Sequence, residues 1–337
     1  MRWAIINLIV YRLRNSGKGT MRIALSGYRI TGTGSSFPRT IVSNVEMAES
    51  GPVNPVWTEE VLGIRTRRIV KADEMLSELV LSASKKAISS MKASKKPNLV
   101  IVATSTPDYF NPSMACILHD ELDLGQDVPA FDIQAVCNGF LYALSVAGAM
   151  LDNSREDTAL VVGADQFSKI TNYQSRNSVY FGDGAAAAIL QKSEIENSDI
   201  VIDLYADGTD WKYFHTPKDG TGFQMNPSGV ANIVKNEIPK AIQKMLSDFN
   251  LDINDIDYFI THQPSKPVLD NLQEVLGIPD RKLKRNIHTH ANTAGATVPS
   301  ILDLVFSDIE VSELVCLVSF GSGWTWSVAL VGNVRRN

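Results

Sequence analysis

An internal repeat constrains this chain more than any other feature. Asp257-Tyr258-Phe259-Ile260-Thr261-His262-Gln263-Pro264 answers Val100-Ile101-Val102-Ala103-Thr104-Ser105-Thr106-Pro107, and Pro264 lies 157 residues after Pro107. Asn292, at the head of a small-residue helix, follows Cys137 by 155 residues. The apolar run opened by Glu313 follows the one opened by Thr158 by 155 as well. Three matches in one order at nearly one spacing imply a duplicated β/α half. Residues 21–195 are expected to form the first half and residues 196–337 the second. Halves packed with their sheets side by side bring equivalent strand ends to a shared pseudo-twofold axis. Cys137 and Asn292 would then be approximate symmetry mates, and His262 would close a buried strand, where open α/β sheets place their ligands.

Local patterns fill in the frame. Leu99-Val100-Ile101-Val102-Ala103-Thr104 is a continuous apolar run rich in β-branched residues, the mark of a strand covered on both faces. Apolar residues at helical spacing (Leu76, Leu79, Val80, Ala83, Ala87) predict a helix over 75–91, and a second is expected over 113–122. Arg22 to Ile30 reads as one strand. Gly32-Thr33-Gly34-Ser35-Ser36 after it reads as a tight turn, because the spacing of a dinucleotide fingerprint is missing. Val179-Tyr180-Phe181, the turn Gly182-Asp183-Gly184 and Ala185 to Leu190 read as a hairpin whose second strand is too alanine-rich for an edge. The apolar run Trp3 to Val10 is too short to span a bilayer, so residues 1–20 are expected to be an appendage ahead of a start at Met21.

Cys137 falls where a short strand, Pro129 to Ile133, meets a Leu/Ala-rich helix. The positive end of a helix favours the thiolate and raises its nucleophilicity. A small buried hydrophobe is the alternative for such a residue. A formal net charge of −5 does not invite nucleic acid. Cys116, Cys137 and Cys316 are odd in number and form no C-x-x-C pair, which argues against a disulfide framework and a zinc site and fits a reducing cytoplasm. His262, His288 and His290 have no carboxylate or cysteine at ligand spacing, so no metal is expected.

Five motifs in order carry a resemblance. They are Asp132-Ile133-Gln134-Ala135-Val136-Cys137-Asn138-Gly139-Phe140, Phe181-Gly182-Asp183-Gly184-Ala185, His262-Gln263, His290-Ala291-Asn292-Thr293 and Phe320-Gly321-Ser322-Gly323-Trp324. On these the sequence, from Met21 to Val334, resembles the β-ketoacyl-acyl carrier protein synthase III family. The resemblance implies a duplicated α/β fold of thiolase type, five-layer αβαβα, a homodimer and a catalytic trio of Cys137, His262 and Asn292. It also implies an oxyanion hole built from the backbone N–H groups of Cys137 and Ser322. An acyl primer, delivered as a coenzyme A thioester, would load on Cys137. Decarboxylation of malonyl-acyl carrier protein would then give a 3-oxoacyl product, in fatty acid or specialised metabolite synthesis, with no cofactor and no membrane span.

Substrate contacts are implied for Trp57, Arg176 and Ser265. Lys235 and Lys266, with Lys240 and Lys244 nearby, are candidates to meet an acidic carrier protein. The pattern is broken at Val61, where an arginine is usual, and at Ser322 for glycine. Asn111 stands for an aromatic, and Asn138 for a small residue beside the nucleophile. Two further readings stay open: transfer of the acyl group to a non-malonyl acceptor, and a non-catalytic partner subunit of a related synthase.

Overall fold

Stretches that are apolar at every position become the centres of two sheets. The computed structural model describes residues 20–91, 95–193, 198–209 and 211–332. The main strands are β1 (Met21–Ser26), β2 (Tyr28–Ser36), β3 (Leu99–Ala103), β4 (Ala130–Ile133), β5 (Thr158–Asp165), β6 (Gly184–Lys192), β7 (Asp199–Ala206), β8 (Tyr258–Thr261), β9 (Val315–Gly321) and β10 (Thr325–Gly332). The first sheet runs β2-β6-β5-β3-β4 and the second β1-β7-β10-β9-β8. β3 lies parallel to β4 and β5, and β8 lies parallel to β9, while the remaining pairs are antiparallel.

Helices sort into three layers around the sheets: α1 (Leu76–Ser90), α2 (Met114–Glu121), α3 (Gly139–Asp152), α4 (Pro227–Asp248), α5 (Lys266–Leu276) and α6 (Thr297–Val305). Successive strand residues face opposite sides. Val100 and Val102 therefore join Leu79, Val80, Ala83, Met114 and Leu118 under α1 and α2. Ile101 and Ala103 instead meet Phe140 and Leu144 of α3 and Ile301 and Leu302 of α6, in one cluster with Ile260, Leu317 and Ala329 of the second sheet. On the far side, Ile238, Ile242 and Met245 of α4 and Leu269 and Leu272 of α5 cover Phe259, Cys316 and Val318. The order is helix, sheet, helices, sheet, helix: the five-layer αβαβα arrangement. α3 is apolar nearly all round because it is sandwiched between sheets, whereas only Leu269, Leu272 and Leu276 of outer helix α5 are buried.

Several expectations are corrected. β1 pairs with β7, Met21 opposite Leu204, so the first described strand belongs to the second sheet and not to the half expected over 21–195. The chain changes sheet at Gly27, where φ is 77°, splitting the single strand expected over 22–30. The supposed turn Gly32–Ser36 lies inside β2. Its glycines let α1 lie against the strand: a Cβ at Gly32 would stand 2.3 Å from the Ala87 carbonyl oxygen, and one at Gly34 2.4 Å from that of Ala83. Val179–Phe181 is not a hairpin arm either, because Arg176–Tyr180 forms a 3-10 turn and Phe181 bridges to Asn292 across the halves. Of the appendage expected over 1–20, all but Thr20 lies outside the described residues.

Repetition is real at the backbone, with a different offset near the nucleophile. A 3-10 turn, Val136–Asn138, leads into α3, and another, Ala294–Ala296, leads into α6. Each begins on a non-glycine residue with φ 48°. Val136 and Ala294, like Gly139 and Thr297, are 158 residues apart. The counterpart of Cys137 is thus Gly295, not Asn292, which lies three residues upstream of it. The spacing of 155 misled because the stretch before Asn292 does not form a strand matching β4: Ile287–His290 is a short helix, and among the described residues only Leu283 bridges to Phe259.

Candidate active site

Cys137 lies between the halves. Only 1% of it is exposed. A Cβ at Gly321, the last residue of β9, would stand 3.0 Å from its backbone nitrogen and 3.1 Å from its Cβ. Ser319 Oγ donates to the Cys137 carbonyl oxygen at 2.6 Å, so β9 holds the nucleophile turn along its backbone. The contact is reciprocal: a Cβ at Gly163 of β5 would stand 2.2 Å from the Gly295 carbonyl oxygen, and Gly163 and Gly321 are again 158 apart. A lowered thiol pKa was expected from a helix start. Burial instead pushes the Cys137 thiol well up, with the Asp165 carboxylate adding in the same direction. The helix proper begins two residues later, at Gly139, and desolvation outweighs what its dipole supplies.

His262 follows β8 directly and donates its backbone N–H to Val318 of β9 at 2.8 Å. Its ring stands edge-on to Phe320, centroids 5.1 Å apart and planes at 87°. Burial lowers its pKa to about 3, so the imidazole is neutral at any physiological pH. Nδ1 is enclosed and has no hydrogen-bond partner among the described residues.

Asn292 is held by the other half. Its N–H donates to Tyr180 O at 3.0 Å, and its carbonyl accepts from the Gly182 N–H at 3.0 Å. Side-chain Oδ1 accepts from the Ala294 N–H at 2.8 Å, which fixes the orientation of the amide and leaves Nδ2 as a donor. Ala294 and Cys137 share an aromatic-lined cluster with Phe167, Phe181, Phe214 and Phe223. Val318 to Gly321 thus contacts both His262 and Cys137, while the loop through Ala294 ties Asn292 to the same cluster. A thiol and two neutral polar side chains can load an acyl group and stabilise developing negative charge.

Family models for 3-oxoacyl-[acyl-carrier-protein] synthase III match residues 131–208, and for its C-terminal part residues 246–332. The β-ketoacyl-[acyl-carrier-protein] synthase III of Rhizorhabdus wittichii is 35% identical over 313 residues, covering 90% of this chain and 98% of that one. The chain belongs to the 3-oxoacyl-[acyl-carrier-protein] synthase III family. Among solved structures, the synthase III of Aquifex aeolicus VF5 superposes with a TM-score of 0.86 at 28% identity, covering 91% of this chain and all of that one. The priming β-ketosynthase of the R1128 polyketide biosynthetic pathway gives 0.82 at 27% identity, covering 91% and 96%.

Within this synthase III fold the remaining expected residues lie further out. Trp57 is 41% exposed on the helix Pro55–Glu60, its N–H capped by Asn54 Oδ1 at 3.0 Å. Leu62, just beyond, accepts the N–H of Lys266 at 2.9 Å, so this helix abuts the start of α5. Arg176 is exposed on its 3-10 turn, and Ser265 is buried at the N-terminus of α5. Lys235 is exposed on α4. Lys266 is paired with Asp270, Lys240 with Glu237 at 3.0 Å and Lys244 with Asp248 at 2.6 Å. Ser322 is half-buried, its Oγ bonded to Phe214 O. Cys316 is buried and burial pushes its thiol up to about 12, whereas Cys116 is exposed. Among the described residues no three His, Cys, Asp or Glu side chains form a metal-holding group, and no helix is long and apolar enough to cross a membrane.

A residue near the site that sequence reasoning missed is Arg67, within the basic run Arg65-Thr66-Arg67-Arg68. It is fully buried, donating to Asn44 Oδ1 at 2.8 Å and Val179 O at 3.1 Å, and burial lowers its pKa to about 10. It holds the segment on which Asn292 is pinned. The sequence carried no signal for this, because its neighbours in the short strand Thr66–Arg68 are themselves polar.

Proposed function

We propose that this chain is a condensing acyltransferase with Cys137 as nucleophile and His262 and Asn292 as donors to the enolate. The observation that supports the reading is that one strand, β9, contacts both the buried Cys137 turn and His262, while Asn292 is tied through Ala294 to the cluster that includes Cys137. Cys137 Sγ bonds to the carbonyl carbon of an acyl-coenzyme A, the carbon–sulfur bond to coenzyme A breaks, and the thiol proton leaves with it. N–H groups of Cys137 and Ser322 are assigned to the oxyanion, and the missing side chain at Gly321 allows their backbones to come close. In the second half-reaction a malonyl thioester loses carbon dioxide. The freed electron pair, delocalised onto the thioester oxygen, attacks the acyl carbon, and the Cys137 sulfur departs and regains a proton. A histidine with a pKa of about 3 stabilises this enolate as a donor, with no tendency to be cationic beforehand.

Trp57 and Arg176 are assigned to the coenzyme A moiety and Ser265 to the donor thioester. Lys235, which makes no ion pair among the described residues whereas Lys266 is paired with Asp270, is a stronger docking candidate for an acidic carrier protein than Lys266. A homodimer through the β4 edge is supported by the half-buried Ala130–Ile133 and by Phe110, 96% exposed on the neighbouring loop. A cytoplasmic site of action fits three unpaired cysteines.

The test is intact-mass labelling followed by turnover. Cys137→Ala takes up no acyl group from acyl-coenzyme A. Asn292→Ala loads normally but condenses with malonyl-carrier protein slower by about 10²–10³, the cost of losing one preorganised donor. Condensation by Asn292→Ala at the wild-type rate would remove that residue from the mechanism. A loaded wild-type enzyme that ignores malonyl-carrier protein would point to another acceptor.

A further inference from the structure

Beyond the trio, the most demanding buried group near the nucleophile is the carboxylate of Asp165, the last residue of β5, with no exposed surface. No lysine or arginine pairs with it among the described residues. Oδ1 accepts the Ser105 N–H at 2.8 Å and the Thr106 hydroxyl at 3.1 Å, and Oδ2 accepts the Gly295 N–H at 2.9 Å. An interior carboxylate costs several kcal/mol unless its oxygens are satisfied, so a retained one has a task. Its reach shows which. The Cβ position of Gly295 is 3.0 Å from Asp165 Oδ2 and 3.4 Å from the carbonyl oxygen of Val136, the residue before Cys137. One carboxylate from the first half therefore seats the turn of the second half against the nucleophile turn.

We propose that Asp165 is a positioning residue of the condensing reaction: its carboxylate clamps the Ala294–Ala296 turn against the nucleophile turn, and through the Ala294 N–H it holds the Asn292 amide. The proposal rests on the roles given above to Cys137 and Asn292. Ionisable groups acting on the carboxylate are Cys137 from the nucleophile turn and Asp183 from the loop before β6, and burial pushes Asp165 itself up to about 7. Its three hydrogen bonds favour the ionised form but burial outweighs them, and the carboxylate in turn adds to the burial that raises the Cys137 thiol. Thiol protonation protects the resting nucleophile from alkylation and oxidation, since the thiolate is the reactive form.

The test uses the full-length protein carrying Asp165→Asn. Alkylation of Cys137 by iodoacetamide against pH, followed by intact mass, needs no substrate. Its midpoint is expected to fall by about one pH unit or more in the variant, because a neighbouring negative charge is removed. Condensation is expected to slow about tenfold more than acyl loading, a split that general loosening would not produce. Thr106→Val removes one donor and keeps the charge. It is expected to slow condensation relative to loading with the midpoint unmoved, and it tests the clamp even where Asp165→Asn does not fold. An unmoved midpoint in Asp165→Asn overturns the effect of its charge on Cys137, and an unchanged ratio of condensation to loading in both variants overturns the clamp. Absence of condensation in the wild type would sink the functional reading alone, and the alkylation profile would still decide on the Asp165 charge.

Discussion

The turns Val136–Asn138 and Ala294–Ala296 have nearly the same backbone and opposite chemistry. Both open on a residue at φ 48°, both run through one 3-10 turn into a central helix, and both lean on a glycine of the other half's sheet. One bears a thiol and the other, at the equivalent place, has no side chain. The strand ends diverge in the same manner: Thr104 occupies the position 158 residues before His262. Thr104 Oγ1 accepts the Thr106 N–H at 3.2 Å. Duplication supplied two seats. Chemistry was installed in the first turn and the second strand end, and Gly295 leaves room for the Asp165 carboxylate where a second nucleophile would otherwise project.

The sharpest way to break the comparison is to fill the two glycine seats. Gly163→Ala puts a methyl 2.2 Å from a backbone oxygen that cannot rotate away. It is expected to cost about 3 kcal/mol, at the upper end of overpacking, measured by urea denaturation. A second experiment restores symmetry at the strand end with His262→Thr. The folded pKa of His262, about 3, lies below the ordinary value of 6.5, so between these the unfolded chain binds a proton that the fold excludes. Wild-type stability therefore falls as pH drops through that window, by up to about 1.4 kcal/mol per unit, and this slope should be shallower in the variant. Equal slopes would mean that the imidazole is not held neutral. Gly321→Ala has the smallest effect on stability, about 1 kcal/mol, since its methyl would sit 3.0–3.1 Å from Cys137. Its loss should appear in the rate of acyl loading, which Gly163→Ala leaves nearer to wild type in the molecules that remain folded.

The layered fold was legible because strands covered on both sides are apolar at every position, as in Leu99–Ala103, and outer helices are not. As candidates, His262 was legible at the end of such a strand, and Cys137 and Asn292 as motifs ahead of small-residue helices. Their spatial equivalence was not, because the second half replaces one strand by the short helix Ile287–His290 and displaces the register by three residues. Gly32 and Gly34 read as a turn since nothing local reveals a helix pressed on the strand. Asp165 and Arg67 were invisible as site residues for a similar reason: their partners, Gly295 and Val179, are more than a hundred positions away.

Reciprocal seating of the two turns also bears on how such a chain can change. A side chain gained at residue 163 is felt at 295, and one gained at 321 is felt at 137, so each half acts as a template that vetoes variation in the other. The halves can drift apart in their outer helices and loops, yet their two points of mutual contact must be inherited together, as though the ancestral gene fusion were still being checked in every generation.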